Sequence, residues 1–193
     1  VAGETVTLTT GLDTVVGGAG DDVIIANDTA GNQTLTALDA IDGGEGSDTL
    51  VLTSIAAVSS LAPAGSSVTG IESVAITSAG TVAANTSAWT DVTTLTLVGI
   101  GNSSATAATT TDVVAAVTAG DLAVTGGNGV TATSTAGDVT ISGSAGDVVV
   151  VTTGDASIST STGAIVATIT AGDVTITTSE GAIAASTTAG DML

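Results

Sequence analysis

The feature that most constrains this chain is a ruler of glycines in its last third. Apart from Gly126, Gly127 and Gly143, they stand at 120, 129, 137, 146, 154, 163, 172, 181 and 190, always eight or nine residues apart. Alternate ones, Gly120, Gly137, Gly154, Gly172 and Gly190, are each followed by aspartate: Asp121, Asp138, Asp155, Asp173 and Asp191. The intervening four are followed by Val130, Asp147, Ala164 and Ala182, so the true unit is 17 or 18 residues long and has two halves. Such a unit has room for two short strands and two tight turns. Units of this kind bury their apolar faces only by stacking on one another. The expected fold is all-β, a parallel β-solenoid with two short strands per 17–18 residue coil.

Each Gly-Asp pair is followed by a short alternating stretch, such as VTIS at 139–142 and VTIT at 174–177. Alternation places Val139, Ile141, Val174 and Ile176 inside, and Thr140, Ser142, Thr175 and Thr177 outside. Composition agrees: the chain has one Trp, no Phe and no Tyr, and the narrow space between two stacked sheets suits small β-branched residues.

The first 51 residues repeat with a different signature. GGAGDDVII (17–25) and GGEGSDTLV (43–51) align position by position, placing Gly20, Asp22 and Ile24 with Gly46, Asp48 and Leu50. Each is preceded by a looser copy in register, LTTGLDTVV (8–16) with Asp13 and TLTALDAID (34–42) with Asp39. Even Glu4 falls in the acidic slot of a preceding copy. ANDTAGNQ (26–33) separates the two pairs.

This pattern, G-G-x-G-x-D-x-U-x with U apolar, suits calcium. The ion takes six to eight oxygens at about 2.3–2.6 Å, from carboxylates and backbone carbonyls. Glycines let a loop turn several carbonyls toward one point, and the aspartate adds charge. One loop supplies half a shell, so the other half must come from the loop one coil away. Calcium is therefore expected between the Asp13 and Asp39 loops and between the Asp22 and Asp48 loops. The expected ligands are Asp13, Gly17, Ala19, Asp21, Asp22, Asp39, Gly43, Glu45, Ser47 and Asp48. Asn27, Asp28 and Asp42 are further candidates. The five stacked aspartates Asp121, Asp138, Asp155, Asp173 and Asp191 have two readings: calcium between coils, or caps that accept backbone N–H groups of their own turns and face solvent.

Charge narrows the partners. The chain of 193 residues has 19 carboxylates and no Lys, Arg, His or Cys, for a formal charge of -19. No side chain can neutralise an acid here, so the native state is expected to need bound cations or salt. Nucleic acid and anionic membranes lack a basic counterpart on this chain. No apolar run reaches the roughly 18 residues of a membrane span. The abundant Ser and Thr have no His, Lys or Cys to activate them, so no enzyme is expected.

The expected organisation is a calcium-binding block at 1–53, an irregular β-rich connector at 54–110 holding the lone Pro63 and Trp89, and regular solenoid repeats at 111–193. Trp89 is read as a packing plug rather than a ligand platform. The chain opens on Val1 and stops in mid-pattern at TAGDML, and is read as a segment of a longer protein.

GGAGDDVII and GGEGSDTLV resemble the repeats of RTX proteins, which bacteria export by type I secretion. The continuation from DTLVL to VTGIESVAIT (48–77), and the Thr/Ala/Gly/Val-rich sequence after it, is similar to the calcium-dependent surface-layer proteins of Gram-negative bacteria. The match is specific over 8–51 and compositional beyond about residue 100. The resemblance implies an RTX β-roll, folding on Ca2+ outside the cell, a place on the bacterial cell surface, and assembly with copies of itself into a layer or filament. Cell-surface polysaccharide is a further implied partner. The stalk of an RTX adhesin is the alternative. Third comes an ice-binding solenoid, suggested by the outward Thr and Ser rows.

Overall fold

A computed structural model describes residues 2–28, 32–55 and 66–193. Residues 29–31 of the inserted segment, and Pro63, lie outside the described residues. Nineteen strands, numbered in chain order, form among the described residues, with no helix. All pair in parallel. Odd-numbered strands make one ten-stranded sheet: β1 (Thr5–Thr7), β3 (Val23–Asp28), β5 (Thr49–Ser54), β7 (Ser73–Ser78), β9 (Thr94–Gly99), β11 (Asp112–Val117), β13 (Val130–Ser134), β15 (Val148–Thr152), β17 (Ile165–Ile169) and β19 (Ile183–Thr187). Even-numbered strands face it as two sheets. β2 (Thr14–Val16), β4 (Ala40–Asp42) and β6 (Ser67–Thr69) form one. β8 (Val82–Asn85), β10 (Ser103–Ala107), β12 (Leu122–Gly126), β14 (Val139–Ser142), β16 (Ala156–Ser161) and β18 (Val174–Ser179) form the other. This is the expected parallel β-solenoid.

Register follows the repeat. Val139 pairs with Leu122 on one side and Ala156 on the other, and Thr14 pairs with Ala40 one coil away. Inward and outward faces alternate as expected: Val139, Ile141 and Val174 are buried, Ile176 packs partly buried against the core, and Thr140 and Thr177 are exposed. The ten-stranded sheet runs through both expected boundaries, because β5 pairs with β7 and β9 with β11. The middle segment thus continues the stack.

The interior is filled by size compensation. Where the long sheet carries Leu95 and Leu97, the facing sheet carries Ala84 and Ala105. Where the long sheet thins to Ala115, Ala132 and Ala167, the facing sheet offers Val124, Ile141 and Ile158. Trp89, 4 % exposed, joins this core from the connection between β8 and β9, as the packing reading requires. One inner row mixes Val117 and Ile169 with Ser134, Thr152 and Thr187, and its hydroxyls close the corners. Ser134 Oγ donates to the Gly120 carbonyl at 2.8 Å, Thr152 Oγ1 to that of Gly137, and Thr187 Oγ1 to that of Gly172 at 2.8 Å. At Ser134 and Thr152 the bond satisfies a buried hydroxyl that would otherwise cost free energy.

Candidate functional site

The acidic residues line the two edges where the chain turns between sheets. On one edge, loop 17–22 leads into β3 and loop 43–48 into β5, and these loops stack as the 26-residue spacing predicts. Glycine permits the approach. A Cβ on Gly17 would run into the Gly43 carbonyl oxygen, and one on Gly43 into that of Gly70. Gly44 has φ +95 and faces the Gly18 carbonyl in the same way. Glu45 N–H donates to Gly18 O at 2.9 Å and Ser47 N–H to Asp21 Oδ1 at 2.9 Å. Asp21 therefore ties its loop to the next coil through its side chain. The side chains of Ala19 and Glu45 are exposed.

Behind these loops the acids form a relay. Glu4 N–H donates to Asp22 Oδ1 at 2.6 Å, Asp22 N–H to Asp48 Oδ1 at 2.7 Å, and Asp48 N–H to Glu72 Oε2 at 2.7 Å. Each carboxylate reaches back to hold the backbone of the preceding coil. Asp22 Oδ2 also accepts from Gly18 N–H at 2.8 Å. The N–H groups of Glu4 and then Gly18 hold the Asp22 carboxyl below its ordinary range, with desolvation acting weakly the other way. Asp48 differs. It is 0 % exposed, and its Oδ2 is buried with no hydrogen-bond partner.

On the other edge, Asp13 and Asp39 are also brought together, through the pairing of β2 with β4. Asp39 is buried and its oxygens are well supplied with donors. Oδ1 accepts from Asp13 N–H at 3.0 Å and Thr36 Oγ1 at 3.0 Å, and Oδ2 from Thr36 N–H at 2.6 Å. Asp13 accepts from Thr9 N–H at 2.8 Å and Thr9 Oγ1 at 3.0 Å. Of the further candidates, Asp42 accepts from Gly44 N–H at 3.2 Å, and Asn27 donates its own N–H to Thr34 Oγ1 at 2.7 Å. Asp28 is buried at the end of β3.

The five Gly-Asp turns continue this second edge with the opposite polarity. Asp121 Oδ1 accepts from Asp138 N–H at 3.0 Å, Asp138 Oδ1 from Asp155 N–H at 2.8 Å, Asp155 Oδ1 from Asp173 N–H at 2.9 Å, and Asp173 Oδ1 from Asp191 N–H at 2.8 Å. The donor is the next coil's backbone rather than the aspartate's own turn. Asn102 heads the row, its Oδ1 accepting from Asp121 N–H at 3.0 Å. Asp112 and Asp147 do the same on the first edge, toward Gly129 and Ala164. Gly129 N–H, then the Asn128 side chain, hold the Asp112 carboxyl below its ordinary range.

Among the described residues, no three acidic side chains converge on one point where a metal would sit. A calcium ion in these loops would draw on one or two carboxylates and otherwise on backbone carbonyls. The 17–22 and 43–48 pair fits that demand, since it has closely stacked glycine backbone and an orphaned carboxylate oxygen at Asp48. Elsewhere, a shallow trough of about 330 Å³ crosses the starts of β8, β10 and β12, floored by Ala83, Ser104 and Ala123 beside Asn102 and Asp121. None of its lining residues is aromatic. Glu72 and Asn102 are the members of these rows that lie outside the repeat patterns. Compared with known proteins, the chain matches no family model and none of the curated proteins.

Proposed function

We propose that this chain is a structural module that folds on calcium outside the bacterial cell and assembles with copies of itself into a surface layer or filament. The observation that carries the reading is Asp48: a wholly buried carboxylate with one orphaned oxygen, among stacked glycine loops, in a chain without a single cationic side chain. An unpaired buried charge is costly, and a bound cation offsets that cost. Calcium, when bound, supplies the positive charge the protein lacks. Asp48 and Asp22 would hold it, with carbonyls of the 17–22 and 43–48 loops, and Asp13 with Asp39 form the second candidate pair. Nothing in the pattern calls for a catalytic role.

Calorimetry of the chain during calcium titration tests the reading. Saturable binding with a rise in melting temperature is expected, and no binding with no stabilisation refutes it. Electron microscopy with calcium and after EGTA tests assembly, which should appear in the first and dissolve in the second. An adhesin stalk is the alternative, favoured by the ten-stranded sheet that grows by adding coils. That role predicts calcium-stabilised particles that stay unassembled.

A further inference from the structure

The two long sheets present different faces to solvent. Two outward rows run the length of the ten-stranded sheet, one from Thr7 to Ala184 and one from Asn27 to Ser186. Neither contains an ionisable residue, although the chain carries 19 carboxylates. Within this sheet the acids are confined to Asp28, which is buried, and Asp112, at the rim. These rows expose Val98 (44 %), Val114 (45 %), Val149 (37 %), Val151 (45 %) and Val166 (45 %). The six-stranded sheet's outward rows, from Ala83 to Thr175 and from Asn85 to Thr177, carry no valine, leucine or isoleucine. A strand former that only has to be soluble can be Thr or Ser, as that sheet shows. The valines of the long sheet call for another explanation.

We propose that the outer face of the ten-stranded sheet is a docking surface for the same face of a second copy, giving a two-fold, face-to-face dimer. The argument rests on area, shape and charge. Ten strands at about 4.8 Å spacing and five residues at about 3.3 Å give a footprint of roughly 800 Å². That equals the roughly 800 Å² per partner of a standard stable interface. Val, Thr and Ala dominate the rows, so the face is flat and its side chains have little rotamer freedom to lose on docking. Packing like face on like face gives an isologous, closed pair. The exposed carboxylates stay at the edges in water, where the two copies repel at low salt and are screened beyond about 10 Å at 0.1 M. The dimer should therefore tighten as salt rises. The proposal uses no carboxylate and stands apart from the calcium reading.

Analytical ultracentrifugation of the full chain, with calcium present and after chelation, tests it. After chelation, wild type should sediment as a monomer–dimer equilibrium that shifts to dimer with added NaCl. The double variant Val114→Asp, Val149→Asp should weaken the dimer about tenfold or more with an unchanged circular dichroism spectrum. Thr140→Asp, on the opposite sheet, should leave it intact. If the double variant loses its fold, Val149→Thr takes its place and should weaken the dimer by a smaller factor. Wild type that stays monomeric at all concentrations and salts overturns the proposal. So does a dimer that Thr140→Asp disrupts as strongly as the valine changes. A dimer that chelation dissolves and the valine variants leave untouched assigns association to calcium at the edges and overturns the face as well.

Discussion

Asp22 donates its backbone N–H to Asp48 Oδ1 at 2.7 Å, while the other oxygen of Asp48 is buried without a partner. One half of this carboxylate ties two coils together and the other half keeps an uncompensated charge. Asp48→Asn separates the two. The amide oxygen still accepts from Asp22, and the buried charge is gone. Without calcium, Asp48→Asn should melt at or above the wild-type temperature. With calcium, wild type should gain stability and the variant should gain little. Asp48→Ala also removes the acceptor and should cost about 1–3 kcal/mol relative to Asp48→Asn in either condition. Differential scanning calorimetry with calcium and with EGTA reads all three. Equal calcium gains in wild type and Asp48→Asn would remove Asp48 from the site.

Gly17 and Gly18 are adjacent in sequence and opposite in tolerance. A Cβ at Gly17 meets the Gly43 carbonyl and, at 2.5 Å, Asp22 Oδ2, so Gly17→Ala forces the stacked loops apart. A Cβ at Gly18 meets nothing within 4 Å. Overpacking at Gly17 should cost about 1–3 kcal/mol. Gly18→Ala should be neutral or gain up to about 1 kcal/mol by restricting the unfolded chain. Urea denaturation midpoints compare the two.

The ruler from Gly120 to Gly190 makes β12 through β19 legible because one coil there equals one repeat. The partnership of Asp22 and Asp48 is legible for the same reason, since their spacing is that of β3 and β5. Glu72 is not: it lies in GIES with no glycine nonad around it, and reaches the Asp48 N–H with one more methylene than aspartate has. Asn102 heads the aspartate row from a segment without the Gly-Asp signature, because an amide oxygen accepts an N–H as a carboxylate does. The polarity of the rows is invisible to spacing. Asp22 and Asp48 reach back one coil and Asp121 and Asp138 reach forward, yet either direction has the same period.

Asp22 and Asp112 should give the protein an acid limit. Both carboxyls lie below their ordinary 3.8 because backbone N–H groups favour the charged form. A lowered native value means stability that is present above the unfolded value and lost as pH falls through the native one. The loss should therefore fall below about pH 4. Carboxyl ¹³C titration by NMR should place the Asp22 and Asp112 midpoints under 3.8. Asp22→Asn should flatten the acid limb of a stability-against-pH curve, and an unchanged limb would contradict the assignment.

Trp89 stands between the nonad coils and the regular coils, and as the chain's one tryptophan it reports the middle of the stack alone. Stability in a solenoid is close to a sum of coil and neighbour terms, so coils need not melt together. If calcium stabilises residues 8–51 locally, chelation should fray those coils first. Circular dichroism, which averages over every strand, should then begin to fall at a lower temperature than Trp89 emission shifts to the red. With calcium present the two transitions should approach each other. Trp89→Ala, which empties a large buried volume, should cost about 3–5 kcal/mol under both conditions, because the core it fills contains no calcium ligand. Coincident melting curves in EGTA would show that the stack unfolds as one unit and that calcium, wherever it binds, stabilises all of it equally.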